Sequence, residues 1–297
     1  MLIYNPLAGA LRHNLQQIEK LTEALHCRGI SVAPMRTSSA GHATELAREA
    51  AAEGAPLVLV CGGDGTINEV AQSLVGTETA MAVWPCGTAN VLAEELNLPR
   101  SFDGLAKLIA ENSVRTISVG RASKPEIGWQ RYFLLMAGIG LDAAIVQGVN
   151  LKWKKSLGQG AYWAAGLDFL ARMPLSRFSI HLNEQQHPST FTVISNAARY
   201  ASVFTLAPGA QIDDDKLNVC TFNSRSRLAY LSYAALGVVG GHTLFPGVVY
   251  QETGQVHANS NHETPVQIDG DLVGKLPMDF EIVPQALRIF APLPGKR

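Results

Sequence analysis

Residues 60–70 read VCGGDGTINEV, with three glycines grouped around one aspartate directly after the apolar run PLVLV. Successive N–H groups laid bare by glycine make an anion-binding concavity, and a helix starting just beyond it adds partial positive charge. Gly62, Gly63 and Gly65 would let the main chain lie against phosphates, and Thr66 would cap the following helix while offering a hydroxyl. Asp64 is the odd member. A carboxylate beside phosphates repels them unless a Mg2+ ion, or an amide or hydroxyl of the ligand, lies between. The chemistry indicated is the holding of a polyphosphate. For a lone motif of this length, an ordinary tight turn with a solvated aspartate is the alternative. The chain carries two more such turns. WPCGTANVLAEEL (84–96) runs strand, Pro-x-Gly-Thr and a helix from near Asn90, and YNPLAG (4–9) follows the first strand. None of them matches the Walker pattern, which needs Gly-Lys-Ser/Thr, or the dinucleotide pattern GxGxxG.

These turns need a scaffold, and the first third of the chain supplies one. MLIYNP, ISVAPMRT, PLVLVCGG and TAMAVWPCG read as strands. Between them, NLQQIEKLTEALHCRG places Leu15, Ile18, Leu21, Thr22 and Leu25 on one helical face, and AGHATELAREAAAEGA, TINEVAQSLVG, TANVLAEELNLP and SFDGLAKLIAEN read as further helices. Strands alternating with helices predict a parallel sheet covered on both faces, with ligands beyond the carboxyl ends of its strands. The glycine turns fall at that end. From about residue 114 the pattern becomes β-rich, through VRTISVGRAS, RYFLLMAGIG, RFSIHLN, STFTVISNA, KLNVCTFN, PVQIDGDLVG and FEIVPQALRIFAP. Residues 145–173 are the exception and read as helical. The expectation is an α/β nucleotide-binding domain over 1–118 and a β-sandwich over 119–297 on the lipid-substrate side, with the option that the last few residues pack back on the first domain.

The chain has 297 residues, 47% hydrophobic and 16% charged, with a formal net charge of −1. Those values describe a packed two-domain enzyme and exclude a disordered chain. The near-neutral balance argues against a nucleic-acid binder. Cys27, Cys61, Cys86 and Cys220 form no CxxC pair, so reduced thiols in the cytoplasm are the simpler reading. The first residues show no secretory signal, and the nearest approach to a membrane span, LAYLSYAALGVVGG (228–241), is short and broken by glycine. A membrane, if met, is met from the side.

In order along the chain, NPLAG, TSSAGHATELA (37–47), GGDGTINEV (62–70), PCGTANVLAEEL (85–96), AGIGLDAAIV (137–146) and IDGD (268–271) resemble the diacylglycerol kinase catalytic-domain family of diacylglycerol, sphingosine and related bacterial lipid kinases. The resemblance implies a phosphofructokinase- or NAD kinase-like α/β domain followed by a β-sandwich, with ATP and Mg2+ as cofactors. It implies that Asn5, Thr37, Gly62, Gly63, Asp64, Gly65, Thr66, Glu69, Gly87, Thr88 and Asn90 line the nucleotide site, with Asp64 acting on the catalytic Mg2+. Asp269, at the family's Asp-Gly-Glu motif, would be the general base, although DGD is also a common hairpin turn. The sequence departs from the family at Asp271, which stands where the motif has glutamate. It departs again in QIDDDKLNV (211–219), where Asp215 replaces a glycine; Asp214 is the candidate ligand for a structural metal, with Asp213 and Asp215 as substitutes.

The acceptor would be a lipid hydroxyl. Trp153, Tyr162, Trp163 and Phe169 beside Lys152, Lys154 and Lys155 suit transient peripheral contact with the inner membrane face, and an ordinary core helix with solvated lysines is the alternative. His42, His257 and His262 read as surface or turn residues. Two other functions stay open: NAD kinase, which shares GGDGT, and a catalytically silent nucleotide- or lipid-binding regulator. The choice of lipid, the nucleotide preference and whether a homodimer forms are not readable from these residues.

Overall fold

The computed structural model describes residues 1–140, 176–198, 207–224 and 247–293, together with positions 143, 226, 229, 230, 232, 233, 241 and 245. The stretch 145–173 and its aromatic and lysine residues lie outside the described residues. The chain divides into two compact units, Met1–Val119 with Val283–Arg297, and Gly120–Ile282.

The first unit alternates strand and helix: β1 (Leu2–Tyr4), α1 (Gln16–His26), β2 (Pro34–Arg36), α2 (His42–Ala52), β3 (Leu57–Gly62), α3 (Asp64–Leu74), β4 (Ala80–Pro85), α4 (Val91–Glu95), α5 (Phe102–Ala110) and the start of β5 (Val114–Lys124). The strands lie in the order β2-β1-β3-β4 and pair in parallel, as the alternation predicts; the end of β16 (Met278–Phe290) joins β4, also in parallel, at Met81 and Ile289. All six residues of β3 are buried. This is why the segment reads as an unbroken apolar run rather than an alternating one. Leu57, Leu59 and Cys61 join a cluster with Leu21 and Leu25 of α1 and Leu105 and Ile109 of α5. Each such fully buried leucine stabilises the fold by about 1.5–3 kcal/mol relative to exposure. Helices α2 and α3 are tied by Thr44, whose hydroxyl donates to the Glu69 carbonyl at 2.9 Å and whose carbonyl accepts from Ser73 at 2.7 Å. One expected face residue departs from the pattern: Leu15 precedes α1 and is exposed, while Ile18, Leu21 and Leu25 are buried.

The second unit is sheet-rich. Beyond the end of β5 it contains β6 (Trp129–Phe133), β7 (Met136–Gly140), β8 (Phe178–Leu182), β9 (Gln185–Ser189), β10 (Phe191–Ser195), β11 (Leu217–Phe222), β12 (Val248–Thr253), β13 (Gln255–Asn259), β14 (Pro265–Ile268), β15 (Asp271–Lys275) and the start of β16. One sheet runs β12-β11-β10-β7-β14-β15, antiparallel at every pairing. In the other, β13 lies between β8 and β16 and β9 pairs with β8, again antiparallel. Side chains from both sheets, among them Ile139, Ile194, Val219, Ile180, Val256 and Phe280, share one buried cluster, the pattern of a sandwich. Gly120 is required by packing: a Cβ there would stand 2.0 Å from the ring of buried Phe133 on the paired strand.

Two readings are corrected, and one strand is added that the sequence did not mark. RYFLLMAGIG is two strands, β6 and β7, broken at Leu134 and Leu135. Residues 185–189 form a strand although they are polar and contain Pro188; among the described residues β9 pairs with β8 alone, and proline is tolerated at such an edge. His257 belongs to β13 and not to a turn. Its Nδ1 lies 2.5 Å from Asp279 Oδ1, and its ring meets His181 edge-on at 5.6 Å.

Candidate active site

The three glycine-bearing turns come together beyond the carboxyl ends of β1, β3 and β4. Asn5 holds the first to the second: its N–H donates to the Cys61 carbonyl at 3.0 Å, and its Nδ2 donates to Thr66 Oγ1 at 3.1 Å. The N–H of Ala10 reaches the Cys86 carbonyl at 3.0 Å, and the N–H of Cys86 reaches the Gly62 carbonyl at 2.8 Å. Within the third turn, Asn90 adopts φ 52° and closes a loop on Gly87, accepting from its N–H at 2.8 Å and donating to its carbonyl at 3.0 Å. Left-handed backbone suits asparagine better than most side chains.

Close packing requires glycine at two points of the junction, main chain on main chain at Gly87 and against the Thr66 side chain at Gly62. A Cβ on Gly87 would lie 2.8 Å from Gly63 Cα, and one on Gly62 would lie 2.6 Å from Thr66 Cβ. A Cβ on Gly65 meets nothing within 4 Å. None of these four has a positive φ, so backbone freedom is not what selects them. Thr66 is not the cap expected from the sequence. Helix α3 starts at Asp64 with Gly63 as its N-cap, and buried Thr66 sits inside the first turn, accepting from Asn5.

Asp64 fastens the second turn to the third. Its Oδ2 accepts from the N–H of Asn90 and its Oδ1 from the N–H of Val91, both at 2.9 Å. Burial pushes its carboxyl above the ordinary aspartate value, while the N–H groups of Asn90, Val91, Leu92 and Asp64 itself pull it down. The fixed carboxylate therefore joins the second and third turns into one rim. Thr37 is buried beside that rim, with its N–H donating to the Tyr4 carbonyl at 2.9 Å, whereas Thr88 is exposed and Glu69 half-buried.

Asp269 lies in the second unit. It and Gly270 form the two-residue connection between β14 and β15, with φ values of +46° and +89°, the type I′ geometry that Asp-Gly favours. An ordinary turn aspartate bonds its own main chain two residues on. Here Gln267 Oε1 accepts from the N–H of Gly270 at 2.7 Å, and the Asp269 carboxylate turns elsewhere. Its Oδ2 accepts from Leu134 N–H at 2.8 Å, and its Oδ1 accepts from Leu135 and Met136 at 3.0 and 2.9 Å. Such charge-assisted bonds are short and strong, and they fix the direction of the carboxylate.

The first 122 residues match the diacylglycerol kinase catalytic domain, and residues 136–291, more than half of the chain, match the YegS C-terminal NAD kinase beta sandwich-like domain. The chain belongs to the diacylglycerol kinase catalytic-domain family. This is a family of kinases with an alcohol acceptor, and kinase action implies a nucleotide substrate. A diacylglycerol kinase of Bacillus subtilis (strain 168) is 26% identical over 287 residues, covering 94% of this chain and 91% of that protein. The crystal structure of a diacylglycerol kinase from Bacillus anthracis (strain Sterne) superposes with a TM-score of 0.72 at 21% identity, covering 98% of this chain and 96% of that one. A second structure from the same organism reaches 0.78 at 22% identity, covering 98% and 94%. At those identities the structural likeness concerns the fold.

Among the described residues no three His, Cys, Asp or Glu side chains come together to hold an ion. Asp213, Asp214 and Asp215 therefore do not form a side-chain cage. Asp214 instead donates its N–H to the Gln211 carbonyl at 3.0 Å, and its carboxyl is pushed up by burial and by Glu252, Asp215 and Asp213 nearby. A Mg2+ ion carried by nucleotide phosphates needs only one or two carboxylates. Asp64 brings one carboxylate to the rim, with both oxygens accepting main-chain N–H groups. Sequence reasoning missed the N–H groups of Leu134–Met136, Gln267 and Arg131, whose Nη2 donates to Asp271 Oδ2 at 2.8 Å. Among the described residues no helix is long and apolar enough to cross a membrane.

Proposed function

We propose that this protein transfers the γ-phosphoryl group of ATP to a hydroxyl of a diacylglycerol- or sphingoid-like lipid. The observation that carries this reading is the rim in which Asp64 locks the Gly62–Gly65 turn to the Gly87–Asn90 turn beyond the ends of β3 and β4. Ligands of open α/β sheets bind at that end, and phosphates bind where main-chain N–H groups and a helix start converge. The open space at Gly65 suits a phosphate lying against the first turn of α3. Relatives named diacylglycerol kinase suggest the acceptor class.

A lipid hydroxyl ionises far above neutral pH and attacks phosphorus poorly until a base accepts its proton. Asp269 takes that role in this reading. Its carboxylate is held in one direction by three N–H groups before any substrate arrives. Phosphoryl transfer otherwise depends on alignment and charge neutralisation. Mg2+ bound with the phosphates supplies part of that neutralisation, and Asp64 is the residue that would hold it. Reaching a bilayer lipid further requires peripheral membrane contact, which sedimentation with vesicles containing anionic lipid would register.

The test is incubation with γ-labelled ATP and Mg2+ in parallel arms containing diacylglycerol, a sphingoid base, NAD or no acceptor. Label is expected in a lipid arm. Label in NAD alone would replace the reading with that of an NAD kinase, and nucleotide binding without label in any arm would leave a silent regulator.

A further inference from the structure

We infer that Arg131 is a positioning residue for the reaction, holding the hairpin turn that presents Asp269; the inference rests on the reading of Asp269 as the base. Strand β6 alternates its faces. Trp129 and Phe133 belong to the core cluster of the second unit or pack against it, and Arg131 stands between them on that same face. An apolar side chain is the usual occupant of such a place. The guanidinium instead reaches Asp271, the first residue of β15, at 2.8 Å.

The next residues along the chain, Leu134, Leu135 and Met136, are those whose N–H groups hold Asp269. One stretch, 131–136, therefore grips the Asp-Gly-Asp turn at both carboxylates, on either side of Gly270. The Arg131 and Asp271 side chains are 26% and 53% exposed. An ion pair so open to water contributes little to stability, so its use is geometric. A planar guanidinium fixes a carboxylate's direction in a way a flexible ammonium does not. It also suits the departure at Asp271, where a side chain one methylene shorter than glutamate is met by a long partner. Without the pair, the turn keeps its main-chain anchor and can tilt about it. A misplacement of about 1 Å at a reacting group costs on the order of a hundredfold in rate.

The experiment compares wild type with Arg131→Gln, Arg131→Lys and the exchanged pair Arg131→Glu with Asp271→Arg. The readouts are kcat and nucleotide KM with a lipid acceptor, the thermal midpoint, and hydrogen exchange at the amides of 134–136. For Arg131→Gln, kcat is expected to fall about ten- to a hundredfold, with nucleotide KM and thermal midpoint unchanged and with faster exchange at those amides. Lysine and the exchanged pair should each recover part of both losses. An Arg131→Gln protein whose amide exchange matches wild type overturns the inference, whatever its activity, and so does one with wild-type kcat. If wild type labels no lipid, the lipid-kinase reading fails separately, and the exchange measurement still decides whether Arg131 holds the turn.

Discussion

Asp64 and Asp269 both give their two carboxylate oxygens to main-chain N–H groups, but the partners come from different distances along the chain. Asp64 accepts from Asn90 and Val91, 26 and 27 residues on, across neighbouring strands of a parallel sheet. Asp269 takes its three from 133 to 135 residues earlier, in a stretch that joins two strands. The first aspartate fastens two turns of similar build, and the glycines around it are chosen by the contact of those turns. The second sits in a turn any hairpin could own and is distinguished by where its carboxylate points. A short motif is enough to announce the first arrangement, whereas only the fold assembles the second.

The largest expected effect separates the two aspartates by chemistry. Asp269→Asn should lower kcat about 10²–10⁴-fold, the usual contribution of a general base, while nucleotide affinity is unchanged. Steady-state kinetics with a nucleotide-binding titration checks this; a parallel loss of affinity would make Asp269 part of the nucleotide site instead. Next comes the junction of the turns. Gly87→Ala drives a Cβ to 2.8 Å from Gly63 Cα, a contact between two backbones that no side-chain motion relieves. Urea denaturation should show about 1–3 kcal/mol of lost stability.

A smaller effect concerns pH. Burial holds the Asp64 carboxyl above its unfolded value, so the native state binds the extra proton in the window between the two. The contribution of Asp64 is therefore full below the ordinary aspartate value and is lost as pH rises through the higher folded value. Urea midpoints taken across that window should show this component in wild type and not in Asp64→Asn. The smallest structural effect is at Gly65, in the first turn of α3 and facing open space. Gly65→Ala should leave stability unchanged or raise it by up to about 1 kcal/mol, yet weaken nucleotide binding. Wild-type affinity in that variant would mean that no phosphate lies there.

The fold was legible where the burial pattern is local. The run Leu57–Cys61 names a strand covered on both faces, and Ile18, Leu21 and Leu25 name the inner face of α1. Boundaries slipped where backbone geometry replaces a side-chain signal. Gly63 caps α3 with no side-chain bond, so the visible threonine drew the cap three residues too far into the helix. No glycine or proline marks the break at Leu134 and Leu135, so two strands read as one. Asp64 and the glycines announced themselves by composition. The partners of Asp269 could not, because N–H groups carry no residue code and lie more than 130 positions away. Arg131 did leave a faint mark, a charge between Trp129 and Phe133 in an otherwise inward-facing alternation.

The most direct measurement follows the main-chain amides of a labelled protein by NMR as Mg2+ and a non-hydrolysable ATP analogue are added. The amides of residues 62–66 and 87–91 should shift together and saturably at one affinity, with those of 134–136 moving least. A titration that leaves the first two groups in place while other amides saturate would put the triphosphate elsewhere and contradict the assignment of this rim.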